Sequence, residues 1–330
     1  MANVSSLNED SFSTPQAGLQ FNCEFKLVQS EITFLDISTS VVIITSAIPA
    51  ILGSVLILLA ICKTSSIAAP SKVLLGSLAF ADLGVGLFAH PLYAAKTLST
   101  DKFTKCFVGL VFDLLSGHLS ITSFFTMMSI SVDKFLALHL KLRYRAVVTL
   151  KRSLFLVVLI RLIALPWSLT YIWYSKLYFL LILSIMPLCL VISSLAFIKI
   201  HLVLRQQKRS FQNQTQIESL RRANALKISR YKKSVNSMLF VYCALLIAYT
   251  PSWVVILVRT IYGSTETLEV ATKLTMTLVL VNSAVNPILY LWRMDELRAT
   301  ALEIIAGLIP KSLTRNASGN AIESFELRVS

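Results

Sequence analysis

Residues 126–147 read TMMSISVDKFLALHLKLRYRAV and decide the fold, because they join an apolar run to a charged pair. About thirty mostly apolar residues precede this pair, which consists of Asp133 and Lys134, and several basic residues follow it. A helix that crosses a bilayer needs about 20 apolar residues, so the preceding run is long enough to be one. The pair therefore marks the point at which a predicted membrane span reaches water.

The composition of the whole chain is that of a protein with several membrane spans. Of its 330 residues, 55% are hydrophobic and 15% are charged, and the mean hydropathy is +0.71. A soluble domain would have about a quarter of its residues charged. Seven apolar blocks are long enough to cross a bilayer: 39–62, 73–98, 107–135, 154–174, 177–204, 235–259 and 270–292. The sequence therefore predicts an all-α membrane protein that is a seven-transmembrane helix bundle.

The fourth and fifth blocks are separated only by residues 174–176, which read YSK. If both blocks formed one helix, it would be about 75 Å long, which is far more than a bilayer is thick. We therefore expect a very tight hairpin between the fourth and fifth spans.

The distribution of charge predicts the orientation of the bundle. Residues 205–233 contain nine basic residues and one acid, whereas residues 1–38 contain five acids and one lysine. Because basic loops stay in the cytoplasm, the N-terminus is expected outside and the C-terminus inside. The net charge of +14 is then explained by loops that face anionic lipid, and nucleic-acid binding is not expected.

We expect an extracellular tail over 1–38, the bundle over 39–292, an amphipathic helix eight over 293–309 and a cytoplasmic tail over 310–330. Helix eight is expected to lie at the membrane interface, because its apolar residues share one face. These residues are Leu297, Ala301, Ile304 and Leu308.

Two of the predicted spans contain polar residues that are costly in hydrocarbon and therefore candidates for function. Asp82 lies about ten residues into the second block, within SLAFADLGVG. The seventh block contains LVNSAVNPILYLW, in which Pro287 removes one backbone hydrogen bond beside Asn282 and Asn286. Such a group would hold water or a sodium ion, or it would only hold the helices together.

The motifs LAFAD, SVDKF and NPILY, in this order on seven spans, resemble those of a rhodopsin-like (class A) G-protein-coupled receptor. The resemblance covers roughly residues 40–308 and is strongest to the melanocortin, adenosine and lysophospholipid group. It implies a plasma-membrane receptor with a heterotrimeric G protein and arrestin as partners. It also implies that the protein is not an enzyme and has no cofactor other than a sodium ion at Asp82.

The resemblance assigns two sets of residues. The expected G-protein coupling switch consists of Asp133, Lys134, Phe135, Asn286, Pro287 and Tyr290, and the expected polar or sodium site of Asp82, Ser54, Asn282 and Asn286. Lys134 stands where the family has arginine, and Ser54 stands where it has asparagine. Because lysine lacks the planar five-donor fork of arginine, we expect weakened coupling.

The resemblance also places a ligand pocket between the outer halves of the spans. Its expected residues are Asp113, Ser116, Gly117, Ser120, Phe124, Tyr249 and Trp253. The second outer loop is too short to form a lid, which favours a peptide or lipid-like ligand. Asp113 has two interpretations, since it would anchor a cationic ligand or pair with an outer-loop lysine such as Lys102 or Lys105.

Three further expectations concern a cysteine pair and two single positions. The family has a disulfide at the outer end of span three, and Cys106 would pair with Cys23, unless both are free thiols. Asn3 begins an N-glycosylation sequon in the outer tail. Arg161 lies in the middle of the fourth block and would either extend towards the inner interface or pair with a polar neighbour.

Other classes of seven-span protein fit less well. An opsin would have a Schiff-base lysine at the position of Leu280, a transporter would show two similar halves, and a channel would have charged rings. The alternative that stays open is a ligand-binding decoy receptor with little G-protein coupling. It is favoured by the departures from the family pattern at Lys134, Tyr249 and Ser54.

Overall fold

The computed structural model describes residues 32–308, except 66, 141–142 and 213–217, and it describes no side chains for 207–234 and 308. Within this part, seven helices are long and apolar enough to cross a membrane. We number them as spans one to seven: Phe34–Lys63, Ala69–Leu98, Lys102–Leu140, Leu150–Trp173, Ser175–Gln206, Val235–Tyr262 and Glu266–Arg293. The helix of span five continues to Gln212, and that of span six begins at Glu218. The predicted seven-helix bundle is therefore confirmed.

Threonine residues are the N-caps of three of the spans. Thr33 forms a capping box with Asp36, in which each side chain accepts a hydrogen bond from the backbone N–H of the other residue. Thr149 and Thr265 cap spans four and seven by accepting from a backbone N–H three residues later. Such caps satisfy N–H groups that have no partner within the helix.

We call the end of the bundle at which spans four and five are joined the outer end, and the opposite end the inner end, following the predicted orientation. The connections at the outer end are short. Tyr174 is the only non-helical residue between spans four and five, so the expected hairpin is as tight as the sequence indicated. Spans six and seven are joined by a turn that contains Gly263, whose φ of 82° is accessible mainly to glycine. These short connections leave the outer ends of the spans close to one another.

Span two contains a π-helical turn at Val85–Ala89, immediately after the turn that carries Asp82. Pro91 follows this turn and has no backbone N–H to donate, which favours a local change of hydrogen bonding. A π-turn changes the direction in which later side chains point, and such turns are frequent at functional sites.

The interior of the bundle is closely packed, and the surface around its circumference is apolar. The largest buried cluster lies at the inner half and includes Ile57, Met127 and Tyr290. Spans one and seven approach closely at Gly53, where an added Cβ would lie 2.6 Å from the Cβ of Pro287. Large apolar side chains such as Ile247, which is 71% exposed, cover the outside, as a surface in contact with lipid requires.

Two further helices lie at the inner end. Helix Asp295–Leu308 packs against span one and buries three residues of its predicted apolar face, Leu297, Ala301 and Ile304. The side chain of the fourth, Leu308, lies outside the described residues. A short helix, Tyr144–Val147, connects spans three and four.

Candidate functional site

A hydrogen-bonded group of four side chains, which we call the inner cluster, lies at the inner end of span three. The carboxylate of Asp133 accepts hydrogen bonds from Ser71 Oγ at 2.7 Å and from the Tyr144 hydroxyl at 2.6 Å. Lys134 Nζ lies 3.7 Å from the same carboxylate and donates to Ser71 Oγ at 3.2 Å. The inner cluster therefore links spans two and three to the short connecting helix.

The Tyr144 hydroxyl remains a hydrogen-bond donor to Asp133 at neutral pH. Burial and the neighbouring Asp133 carboxylate raise the pKa of Tyr144 above its ordinary value, so the hydroxyl stays protonated at neutral pH. Asp133 itself is only 5% exposed, and burial of a carboxylate without hydrogen-bond donors would be costly.

Phe135, the third residue of the predicted motif, lies on another side of span three. Its ring stacks on the ring of His139, with centroids 5.7 Å apart, and Lys199 Nζ of span five lies 5.9 Å from its centroid. The three motif residues thus contact three different neighbours: span two, the connecting helix and span five.

Asp82 and Asn286 meet in the interior between spans two and seven. Asn286 Nδ2 donates to both carboxylate oxygens of Asp82, at 3.2 and 3.1 Å. Ser283 adds a side-chain hydrogen bond to the same carboxylate. Ser283 was not among the residues predicted for this site, although it lies one helical turn before Asn286.

The other expected members of the polar site are buried as well. Ser54 is fully buried, Asn282 is 7% exposed, and Ser54 Oγ and Asn286 Oδ1 have no hydrogen-bond partner in the described part of the chain. The hydroxyl of the switch residue Tyr290 is likewise buried without a partner there. No group of three or more His, Cys, Asp or Glu in this part could hold a metal ion.

A cavity of about 130 Å³ lies between spans three to seven and the middle of span two. Six of the seven expected pocket residues line it: Ser116, Gly117, Ser120, Phe124, Tyr249 and Trp253. The remaining lining is mostly apolar, and no charged side chain contributes to it among the described residues. Its polar groups are hydroxyls, such as those of Ser252 and Ser283, together with the indole of Trp253.

Tyr249 connects this cavity to the interior of the bundle. Its ring packs edge-on against Phe124, with centroids 4.5 Å apart, and its hydroxyl lies 3.5 Å from Ser120 Oγ. Trp253, one turn further out, donates its indole N–H to the backbone carbonyl of Leu183 at 3.3 Å. Aromatic side chains on span six therefore contact both span three and span five.

Asp113 does not line the cavity, which departs from the expected pocket. One of its oxygens lies 3.0 Å from Lys96 Nζ of span two, and the other accepts from the Tyr171 hydroxyl of span four at 2.8 Å. We call these three residues the outer cluster. The paired lysine is on a neighbouring helix, which the linear sequence does not show, whereas Lys102 and Lys105 were suggested only by their position near the outer surface.

Tyr178 covers the outer side of the cavity. Its ring packs edge-on against Tyr171, with centroids 5.3 Å apart, and it is one of the lining residues. An added Cβ at Gly117 would lie 2.6 Å from the Tyr178 hydroxyl, so a larger residue there would require the Tyr178 ring to shift. The outer cluster thus holds Tyr171, and Tyr171 supports the ring that covers the cavity.

Two expectations at the outer side involve residues outside the described part of the chain. Cys106 takes part in a disulfide, but its expected partner Cys23 is among the residues that are not described. Asn3, the expected glycosylation site, also lies outside them. The pairing of Cys23 with Cys106 and the glycosylation of Asn3 therefore stay predictions.

Residues 53–179 match the family model described as 7 transmembrane receptor (rhodopsin family). Adenosine receptor A2b of Rattus norvegicus is 37% identical over 106 residues, which are 32% of this chain and 31% of that receptor. Adenosine receptor A2a of Cavia porcellus is 35% identical over 107 residues, which are 32% of this chain and 26% of that receptor. The matched stretch thus spans less than a third of the length of these relatives.

The seven-helix bundle and these matches together show that the chain resembles receptors of the rhodopsin-like (class A) family, with the sequence match itself confined to residues 53–179. Of the three receptor groups that the sequence resembles, the matches support the adenosine receptors. The matched proteins are receptors, in agreement with the expectation that this chain is not an enzyme.

Proposed function

We propose that this chain is a plasma-membrane receptor that binds an extracellular ligand in the bundle and activates a heterotrimeric G protein at its inner face. The inner cluster is the observation that carries this proposal. A buried carboxylate that accepts two side-chain hydrogen bonds lies 3.7 Å from Lys134, at the end of the bundle where a cytoplasmic partner would dock. The N-terminus would be outside, and arrestin would be a second partner at the same inner face.

Lys134 makes a longer contact with Asp133 than an arginine would. Its ammonium is 3.7 Å from Asp133 and hydrogen-bonds Ser71, whereas an arginine would offer a planar fork to the carboxylate. Separation of Lys134 from Asp133 therefore costs less than separation of an arginine fork would. The compact ammonium also makes fewer contacts with that partner, so we expect coupling that is present but weaker than an arginine would give.

The proposed ligand is a peptide or a lipid-like molecule, and the cavity favours the second. A lining without charged side chains cannot compensate a buried ligand charge, which would be costly to desolvate. An uncharged, largely apolar ligand would be matched by the aromatic and aliphatic lining, with hydroxyls such as that of Ser120 fixing its orientation. Because relatives are named adenosine receptors, adenosine is also a compound to test.

Asp82 is proposed to form a water or sodium site with Ser54, Asn282 and Asn286. The unpartnered oxygens of Ser54 and Asn286 support this, because buried polar atoms ordinarily have a partner. A carboxylate, an amide oxygen and a hydroxyl are all oxygen donors, which suit a hard cation such as sodium.

The proposal is tested by G-protein activation in cells that express the receptor. Sensors for each G-protein class would be read with uncharged lipids, peptides and adenosine, for wild type and for Lys134→Ala at matched surface expression. We expect activation by at least one ligand in the wild type and a marked loss in the variant. Equal activation by both proteins would show that Lys134 carries no coupling energy.

A decoy receptor is the second candidate, and the lysine at position 134, which cannot offer the planar fork of an arginine, favours it. A decoy would bind a ligand and release no signal in the wild type. In that case Lys134→Arg, which restores the fork, would be the variant expected to signal.

A further inference from the structure

Arg161 lies on span four, where none of the roles proposed above uses it. One of its guanidinium N–H groups donates to the backbone carbonyl of Ser77 on span two at 3.3 Å. The guanidinium carbon lies 5.4 Å from the ring centroid of Phe80, and Phe80 is 58% exposed on the outside of the bundle. The hydrogen bond and the ring contact of Arg161 are thus both with span two.

The charge of Arg161 has no acidic partner among the described residues. The ion pairs of this part of the chain at Asp36, Asp113 and Asp133 all involve lysines. Asp82, on the same span as Ser77, is hydrogen-bonded to span seven instead. His118 of span three lies within electrostatic range of Arg161 and adds no negative charge. A guanidinium has five donors, so one carbonyl leaves most of its capacity unused.

Arg161 lies at the edge of the membrane-facing surface of span four, since Ala164, three residues after it, is buried in the bundle. Val158 and Leu165, which lie three residues before and four residues after it, are 53% and 52% exposed. Residues at these spacings share one side of a helix. In a bilayer this apolar side would contact acyl chains, and Arg161 would be the cation among them.

The guanidinium lies closer to the inner interface than the Arg161 backbone does. The backbone is nine residues beyond Arg152, or about 14 Å at the helical rise. Helical side chains lean towards the N-terminus, which is the inner end of span four. The bonded carbonyl of Ser77 is only five residues, or about 7.5 Å, beyond Lys72 on span two. A lipid headgroup could reach this depth from the inner leaflet.

We propose that Arg161, the Ser77 carbonyl and Phe80 form a site for an anionic phospholipid of the inner leaflet. The lipid phosphate or carboxylate would accept hydrogen bonds from the free donors of Arg161, and its acyl chains would lie along Phe80 and Leu165. Charge complementarity commits the site to an anionic lipid, because an intramembrane cation without a counter-charge is costly. The inner leaflet is also the leaflet that is rich in anionic lipids.

The test uses photoreactive lipids with identical acyl chains and either a phosphatidylserine or a phosphatidylcholine headgroup. The full receptor is reconstituted in nanodiscs, irradiated, and its labelled peptides are quantified by mass spectrometry. In the wild type we expect phosphatidylserine to label the peptides around Phe80 and Arg161 about tenfold more than phosphatidylcholine, the ratio that one charge-assisted hydrogen bond supplies.

Two variants and a control show whether Arg161 causes this preference. Arg161→Gln should abolish the excess labelling, and Arg161→Lys should keep most of it. Arg259→Gln removes the same charge from an exposed position at the outer end of span six and should change nothing. Equal labelling by the two lipids, or an undiminished excess in Arg161→Gln, would overturn the proposal.

A wild-type measurement keeps the test valid if Arg161→Gln does not fold. Unlabelled phosphatidylserine added to the nanodiscs should displace the photoreactive lipid from these peptides, and unlabelled phosphatidylcholine should not. Equal displacement by both unlabelled lipids would also overturn the proposal.

Discussion

Span three carries two carboxylates, Asp113 and Asp133, which have similar types of neighbour. The two sites differ in which parts of the chain supply those neighbours. Each accepts a hydrogen bond from a tyrosine and lies near a lysine. In the outer cluster the lysine comes from span two and the tyrosine from span four, and the lysine is 3.0 Å from the carboxylate. In the inner cluster the lysine is the next residue in the chain and lies 3.7 Å away.

This difference indicates that the outer cluster holds spans two, three and four together, whereas Lys134 of the inner cluster can separate from Asp133. Lys96 and Tyr171 tie Asp113 to two other spans, so loss of either contact would separate helices. Lys134 is on the same helix as Asp133, so it can leave the carboxylate by a side-chain rotation. A receptor that transmits a signal needs a fixed frame around its cavity and a movable group at its inner face.

Removal of Lys96 is expected to have the largest effect on stability. Lys96→Met should leave the Asp113 carboxylate partly buried without its counter-charge and lower the free energy of unfolding by about 2 kcal/mol, reduced from the cost of a fully buried pair because Lys96 is 31% exposed. Thermal unfolding of the purified receptor measures this.

Lys176→Met is the control, because it removes an exposed cation at the hairpin between spans four and five. The double variant Lys96→Met with Asp113→Asn should recover most of the loss. An unchanged unfolding temperature in Lys96→Met would mean that the outer cluster does not fix the frame.

Gly117→Ala is expected to have the next largest effect. The new Cβ would lie 2.6 Å from the Tyr178 hydroxyl, and the resulting overpacking should cost about 1.5 kcal/mol of stability. Tyr178→Phe in the same background removes the clashing oxygen and should restore part of the loss. Gly76→Ala is the matched control, because an added Cβ there would have no neighbour within 4 Å. If both glycine variants unfold alike, Tyr178 does not cover the cavity as described.

Asp82→Asn addresses the polar site between the two clusters. If the site binds sodium, basal G-protein activation by the wild type should differ between buffers of sodium chloride and choline chloride. The variant lacks the charge that holds the ion and should respond equally in both buffers. A sodium response that persists in Asp82→Asn would remove Asp82 from the ion site.

Tyr144→Phe is expected to have the smallest effect. It removes one hydrogen bond from Asp133, which is worth about 1 kcal/mol, or roughly a fivefold rise in the fraction of open inner cluster. Because the pKa of Tyr144 is raised, its contribution is complete below the unfolded value of about 10 and is lost only at higher pH. Basal activation should therefore show no Tyr144-dependent change between pH 6 and 9, and a difference between wild type and variant that titrates in this range would contradict the assignment.

The sequence predicts the features of this fold that depend only on lengths and positions along the chain. The length of each apolar block sets where a span begins and ends, and the three residues 174–176 leave room only for a hairpin. Asp82 and Asn286 could be paired in advance because a polar group in hydrocarbon needs a partner and few others were available.

Other contacts depend on how each helix is rotated about its own axis relative to its neighbours. The apolar pattern of one helix does not determine that rotation. Lys96 is 17 residues from Asp113, and Ser71 is 62 residues from Asp133, so neither pairing has a local signal. Tyr144 lies 11 residues after Asp133, and no feature of the sequence marks it as a hydrogen-bond donor to that residue. The missing information is the orientation of spans two and four around span three.

The central claim is that Asp133 restrains Lys134 at rest and that release of Lys134 allows coupling. The direct measurement is ligand-free GDP–GTP exchange on a purified heterotrimeric G protein, catalysed by the receptor in nanodiscs. Asp133→Asn should exchange faster than the wild type, Asp133→Asn with Lys134→Ala should not exceed empty nanodiscs, and Asp113→Asn should not raise the rate. Exchange by Asp133→Asn that equals the wild-type rate, or a rise with Asp113→Asn instead, would contradict the account.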